Sequence, residues 1–228
     1  MPTSRDIAAA YRLLEEMFIN PTMRDDDAIV IWFEQVRTSL PHVADQLDRF
    51  LEADGAKSSH EYVSTLELSP PCPLYLGAHM FEEPSTCSGI STSPRNAFML
   101  ELIGMYEHFG FELGNVEMPD FLPVMLNFLA ISLEGVQEDT LGLRRRMVER
   151  YLLPGLPSLA KGFEKFGSVY GLLIPAIELV ATEDLEQMSD VPMWKTPDEQ
   201  SGNVSLNVLR DTKPAKSMKD FNMPEVRP

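Results

Sequence analysis

Residues 117–133 read EMPDFLPVMLNFLAISL, and this stretch decides the fold class. Its apolar side chains recur at helical intervals, at Leu122, Met125, Leu126, Leu129 and Leu133. Because that spacing places them on one face of an α-helix, it predicts an amphipathic helix from Asp120 to about Leu133. Asp120 is expected to cap this helix by accepting a hydrogen bond from the N–H of Leu122.

The same helical spacing recurs on both sides of this stretch. Ile7, Tyr11, Leu14 and Phe18 form one such stripe, and no segment alternates convincingly with the period of two that is typical of strands. Further helices are predicted at about residues 3–20, 25–40, 41–55, 58–68, 93–110, 140–153, 158–173 and 175–188. The sequence therefore predicts an all-α fold, a single helical bundle over residues 1–189 with a long central loop at residues 69–93.

The last part of the chain has a different composition. Residues 190–228 contain five of the 18 prolines and equal numbers of acidic and basic residues, without helical periodicity. We expect a Pro-rich, extended or disordered tail, which could dock through Trp194 and Phe221.

The acidic excess lies in the helical part. The 228 residues include 19 Lys plus Arg and 35 Asp plus Glu, which gives a formal charge of −16. A body this negative repels phosphate backbones and anionic lipids, so it argues against binding to nucleic acid or to a membrane surface. No apolar run is long enough to cross a bilayer, and Asp6, Glu15 and Glu16 interrupt the place of a signal peptide. We therefore expect a cytoplasmic protein with no membrane insertion.

Residues with catalytic or metal-binding chemistry are sparse. The four histidines are far apart, and the two cysteines, Cys72 and Cys87, are too few for a zinc site built from cysteines. No glycine-rich phosphate loop or nucleophile motif is present, so we expect no catalytic residues, no metal and no cofactor. The basic run Arg144–Arg146 is expected to be a solvated helix face on which at least one arginine pairs with the acidic body.

The pair Glu117 and Asp120 admits two interpretations. In the first, Asp120 only caps the helix. In the second, the two carboxylates flank an open helix start and receive a cationic peptide, because a carboxylate pairs well with a guanidinium group. The spacing alone leaves both open.

The same segment resembles the redox-enzyme maturation chaperones, the nitrate reductase delta-subunit group. That family carries Glu-x-Pro-Asp-His-Leu before an apolar helix, and here Glu117–Leu122 reads EMPDFL, followed by LNFLA at residues 126–130. Upstream, CPLYL at residues 72–76 and HMF at residues 79–81 resemble the family's Ser-Pro-Leu-Tyr and histidine-bearing stretches. The resemblance covers roughly residues 5–180. Two positions depart from the pattern, since Phe121 replaces the motif histidine and Asn127 replaces the following glutamate.

The resemblance implies an all-helical chaperone without catalytic turnover. Such a chaperone binds the apo catalytic subunit of a molybdopterin oxidoreductase, often by an N-terminal twin-arginine-like segment, and keeps it competent for molybdenum-cofactor insertion before assembly or export. The alternative is a permanent helical adaptor or accessory subunit of a redox complex, and the oligomeric state stays open. Methionine side chains are flexible and suit adaptable binding surfaces, which favours Met80 and Met118 as contact residues. The expected client-peptide residues are Tyr75, His79, Met80, Glu117, Met118, Pro119, Asp120 and Leu122.

Overall fold

The first helix forms as its sequence pattern predicts. The computed structural model of the chain describes residues 2–68, 70–81, 93–111, 113, 117–134, 140–196 and 199. Helix α1 spans Ser4–Met17, and the Thr3 side chain and the Asp6 carboxylate cap each other's backbone N–H groups at its start. Its predicted stripe is buried, since Ile7, Tyr11 and Leu14 have no exposed surface. The capping pair starts the helix, and the stripe attaches it to the core.

Nine further helices follow in the described part of the chain. They are α2 Asp26–Ser39, α3 Pro41–Glu52, α4 Ser59–Tyr62, α5 Leu76–Met80, α6 Pro94–His108, α7 Leu122–Ile131, α8 Leu141–Arg146, α9 Leu156–Phe166 and α10 Ile174–Gln187. Two π-helical segments, Val63–Glu67 and Met147–Leu152, continue α4 and α8, and 3-10 segments occur at Pro21–Met23, Asp54–Lys57, Leu153–Gly155 and Val169–Leu173. No strand occurs among the described residues, and the predicted all-α fold is confirmed.

Helix α1 lies at the centre of the packing. It contacts α7, α2 and α10, and α3 closes the other side against α10 and the 3-10 segment at residues 169–173. An aromatic cluster fills that side, where the Tyr170 ring lies 6.0 Å from Phe18, 5.6 Å from Phe50 and 6.2 Å from Tyr62. Burial of Phe18 and Phe50 in this cluster stabilises the fold by about 1.5–3 kcal/mol each relative to their exposed state.

The predicted central loop contains a helix that the sequence pattern does not indicate. Helix α5, Leu76–Met80, lies within the expected loop at residues 69–93, of which residues 69 and 82–92 lie outside the described part. A helix this short has no periodic signal of its own. Its buried residue Leu76 lies against Gly155, so tertiary packing determines it.

The three consecutive arginines are not a solvated face. Arg144 and Asp184 form an ion pair in which each side chain is only 1% exposed, and Tyr11 Oη donates to Asp184 Oδ2 at 3.0 Å. The other two arginines pair with glutamates, Arg145 with Glu149 and Arg146 with Glu101. The expected pairing with acids is confirmed, whereas the expected solvation is wrong for Arg144 and Arg146, because the surrounding helices enclose their guanidinium groups.

The helical unit continues to Trp194, five residues beyond the predicted boundary at residue 189. Arg145 Nη1 donates to the carbonyl of Val191 at 2.6 Å, and Trp194 N donates to the carbonyl of Gly142 at 3.0 Å. These bonds attach residues 188–194 to α8. A second unit covers Lys195–Pro228, and its residues 197, 198 and 200–228, with Phe221, lie outside the described part.

Candidate functional site

Two distant segments of the chain meet at the start of α7. Leu76 N donates to the carbonyl of Asp120 at 2.9 Å, and Leu122 N donates to the carbonyl of Leu74 at 2.8 Å. Tyr75 and Phe121 face each other across this short antiparallel bridge. The bridge brings together the two stretches, residues 72–81 and 117–122, on which the family resemblance rests.

Asp120 does not cap α7. Phe121 occupies the N-cap position without a side-chain hydrogen bond, and the N–H of Leu122 is already bound by the Leu74 carbonyl. The predicted capping of Leu122 by Asp120 is therefore wrong. The carboxylate turns inward instead, where Oδ2 accepts from Gly77 N at 3.0 Å.

The Asp120 carboxylate is enclosed and carries an unusual charge environment. Its side chain has no exposed surface, and Arg95 Nη2 lies 3.9 Å from Oδ2. Burial raises the pKa of Asp120, and the Arg95 guanidinium and the Gly77 N–H oppose that rise. Oδ1 has no hydrogen-bond partner among the described residues. Asp120 thus joins the start of α7 to α5 and α6, and in this conformation its carboxylate is not at the surface.

Glycines make this close packing possible. A Cβ atom at Gly77 would lie 2.7 Å from Asp120 Oδ2, and one at Gly162 would lie 2.5 Å from Cys72 Sγ. Both distances are shorter than carbon makes with oxygen or sulfur without displacement. Sequence reasoning missed these positions, because nothing in the spacing of glycines indicates which distant side chain approaches each one.

The outer part of the site consists of the exposed Glu117 and Met118 and the half-buried Tyr75 and Phe121, and we call these four residues the Tyr75 surface. Tyr75 Oη donates to Glu117 Oε2 at 2.9 Å, and the two aromatic rings lie 5.2 Å apart at an angle of 40°. Partial burial and the bond to Glu117 raise the pKa of the Tyr75 phenol. Met118 is 50% exposed beside them. The Tyr75 surface therefore combines an exposed carboxylate, two half-buried aromatic rings and an exposed thioether.

The remaining candidates lie below or beside this surface. Leu122 is fully buried, and the buried Pro119 accepts a 2.7 Å hydrogen bond from Tyr106 Oη through its carbonyl. His79 and Met80 are half-buried, and His79 Nε2 lies 2.7 Å from the carbonyl oxygen of Pro73. Of the eight candidates, Glu117 and Met118 are exposed, and Tyr75 is half-buried like His79 and Met80. Phe121 joins the Tyr75 surface, although the sequence comparison treated it only as a departure.

Asn127, the second departure, has a defined partner. Asn127 Nδ2 donates to Glu15 Oε1 on α1 at 2.9 Å. Burial raises the pKa of Glu15 to about 7, and the hydrogen bond from Asn127 opposes this rise. A glutamate at position 127 would place a second carboxylate against Glu15. The neutral amide of Asn127 avoids that repulsion.

Two chemical classes were searched directly in the described residues. No group of three or more His, Cys, Asp or Glu side chains there is arranged to hold a metal ion. None of the helices found in that part of the chain is long and apolar enough to cross a membrane.

The fold and the site together define an all-helical protein with an acidic, aromatic surface at a helix start. Its family is shown by comparison: the chain belongs to the nitrate reductase delta subunit family, whose model matches residues 34–160, more than half of the chain. This confirms the resemblance, and the match contains the whole Tyr75 surface. The family consists of molybdoenzyme assembly chaperones, which bind molybdoenzyme catalytic subunits and are not catalysts. No curated protein matches the chain.

Proposed function

We propose that this chain is a dedicated chaperone for the catalytic subunit of a molybdenum-cofactor oxidoreductase. It binds the apo subunit through a basic, twin-arginine-like N-terminal segment and keeps it competent for cofactor insertion. The chaperone then releases the subunit, before the enzyme is assembled or exported. It therefore acts in the cytoplasm. The family membership supports the general role, and the Tyr75 surface supports the mode of recognition.

The observation that carries the proposal is the pairing of Tyr75 with Glu117 beside Phe121. A guanidinium group binds a carboxylate through two hydrogen bonds and also stacks on aromatic rings. The Glu117 carboxylate and the Tyr75 and Phe121 rings, which lie 5.2 Å apart, offer both contacts within one small area. Met118 can adapt to the apolar residues that flank the arginine.

The net charge supports the approach of such a segment. A charge of −16 attracts a basic peptide over a distance and increases its association rate, mainly at low salt. In this proposal Asp120 is a positioning residue, because its buried carboxylate holds α5 against the start of α7 and thereby supports Tyr75. The buried Pro119 and Leu122 act in the same way, whereas the half-buried His79 and Met80 stay candidates for direct contact with the peptide.

A peptide titration tests the recognition step. The N-terminal peptide of a molybdoenzyme catalytic subunit is titrated into the wild type, Glu117→Gln and the control Glu107→Gln, which neutralises an exposed glutamate on α6. We expect Glu117→Gln to weaken binding by about tenfold, since a charge-assisted hydrogen bond is lost, while the control stays within about twofold. Equal weakening in both variants would mean that only the overall charge attracts the peptide, and recognition at the Tyr75 surface would then be wrong.

The alternative function is a permanent accessory subunit of a redox complex. Stoichiometry separates the two. A chaperone co-purifies with the cofactor-free catalytic subunit and is absent from the mature enzyme, whereas a subunit remains at one copy per enzyme after the cofactor is loaded. Finding the chain in the mature enzyme would favour the adaptor and contradict the chaperone.

A further inference from the structure

Helix α2 carries a second apolar stripe that faces solvent. Its inward face is formed by Phe33 and Val36, which are buried. Outside this inward face, Val30 is 62% exposed and Ile31 is 67% exposed. These two are adjacent in the sequence, whereas the other exposed large apolar residues in the described part occur singly. Isolated exposed apolar residues are normal, but an adjacent pair on one helix face requires an explanation.

Two carboxylates frame this apolar pair. Asp27 lies three residues before Val30, and Glu34 lies three residues after Ile31, so all four share one helix face at the i, i+3, i+4 and i+7 positions. Asp27 and Glu34 are exposed, and neither forms an ion pair or a side-chain hydrogen bond with the described residues. We call these four residues the α2 stripe.

We propose that the α2 stripe docks a basic amphipathic helix of a partner protein. The charges point to this occupant, because two unpaired carboxylates that flank an apolar pair are complementary to Lys or Arg residues around an apolar centre. Asp27 and Glu34 are about 10.5 Å apart along the axis, two turns of a helix. A partner helix with basic residues seven apart matches that distance and places apolar residues over Val30 and Ile31.

The charges also disfavour other occupants. A second copy of the chain would bring the same two carboxylates to the interface, and like charges in an interface are strongly unfavourable. Anionic lipid is repelled for the same reason. The α2 stripe lies at and before residue 34, where the match to the family model begins. All of the stripe except Glu34 therefore lies before the matched segment. The inference does not rest on the proposed binding of a client at the Tyr75 surface.

A designed peptide provides the probe. It is a labelled helical peptide of about three heptads, long enough to be partly helical alone, with Lys seven residues apart around a Leu pair. Fluorescence anisotropy measures its binding to the wild type, to Val30→Ser/Ile31→Ser and to Asp27→Asn/Glu34→Gln. The matched controls are Leu68→Ser/Leu172→Ser and Glu107→Gln/Glu164→Gln, which likewise replace two aliphatic side chains by Ser or neutralise two carboxylates, at exposed positions elsewhere.

We expect each stripe variant to weaken binding about tenfold and each control to stay within about twofold. Circular dichroism of every variant checks that the helical fold is retained. Equal loss in the controls would reduce the interaction to general attraction by an acidic protein and overturn the proposal. Absence of binding to the wild type would also overturn it. So would a wild-type dimer in light scattering that Val30→Ser/Ile31→Ser converts to monomers, since the occupant would then be a second copy.

Discussion

Gly77 N donates to Asp120 Oδ2 at 3.0 Å, and a Cβ atom on residue 77 would lie 2.7 Å from the same oxygen. The two residues are 43 positions apart, and their close contact depends on the chemistry of both. The carboxylate replaces its lost hydration by this N–H, and the glycine lets it come close enough. This contact fixes the position of Tyr75, two residues before Gly77, against Phe121.

The first prediction concerns this close approach. Gly77→Ala forces the added methyl group against Asp120 Oδ2, so we expect the free energy of unfolding to fall by about 1–3 kcal/mol. Gly104→Ala is the matched control, because Gly104 lies in α6 with nothing within 4 Å of its would-be Cβ. That control is expected to stabilise the protein by about 0.5–1 kcal/mol. Urea unfolding measures both, and equal behaviour of the two variants would contradict the contact.

Substitution of Asp120 separates positioning from direct binding. Asp120→Ala leaves the buried Gly77 N–H without its acceptor, and we expect a loss of about 2–3 kcal/mol in unfolding free energy. Asp120→Asn keeps an acceptor oxygen, so peptide binding at the Tyr75 surface should stay within about threefold of the wild type. If Asp120→Asn remains as stable as the wild type yet loses binding more than tenfold, the carboxylate contacts the client itself and the positioning role is wrong.

The buried ion pair makes a larger stability prediction. Arg144→Met leaves the Asp184 charge enclosed without its cation, and the expected loss is about 3–5 kcal/mol. Replacing both partners, Arg144→Met/Asp184→Leu, removes the uncompensated charge and should restore part of that loss. Thermal and urea unfolding of Arg144→Met, Asp184→Leu and the double variant measure the difference. A double variant that is less stable than the single variant by the full cost of Asp184→Leu would show that the charges do not interact.

The Glu15 carboxylate predicts a pH dependence of stability. Its pKa is about 7 in the folded protein and near 4.5 when unfolded, so the folded state binds the proton more tightly. The contribution of Glu15 to stability is therefore greatest at low pH and declines as the pH rises from about 4.5 to 7. Glu15→Gln removes this decline and should gain on the order of 1 kcal/mol at pH 7, because a neutral amide can also pair with Asn127. The difference between wild-type and Glu15→Gln unfolding free energies, measured across this pH range, should grow with pH. A difference for Glu15→Gln that stays constant across this pH range would contradict the buried, raised pKa.

Helices with long apolar stripes were predictable from the sequence, whereas features that depend on tertiary contacts were not. The stripe of α1 and the start of α2, predicted near residue 25 and found at Asp26, follow from local spacing and capping chemistry, which a sequence displays directly. Helix α5 depends on Leu76 lying against Gly155, and the burial of Arg144 depends on Asp184. Contacts between residues 40 or more positions apart leave no periodic mark in one sequence.

The candidate site was predictable as a location but not as an arrangement. The segment from Glu117 to Leu122 and the stretch near Tyr75 do meet, yet the spacing left open whether Asp120 caps α7 or receives a peptide, and it did not indicate that the carboxylate turns inward. The N–H of Leu122, which Asp120 was expected to bind, donates to the Leu74 carbonyl. The Asp120 carboxylate accepts from the N–H of Gly77 instead. That exchange depends on three segments packing at once, so sequence spacing could not reveal it.

The most direct test of the chaperone proposal is the molybdenum content of a client catalytic subunit produced with and without this chain. We expect a low metal-to-subunit ratio in its absence, recovery with the wild type and with Glu107→Gln, and little recovery with Tyr75→Ala/Glu117→Lys. The absence of the chain from the recovered, loaded enzyme completes that result. A fully loaded client in the absence of the chain would contradict the account.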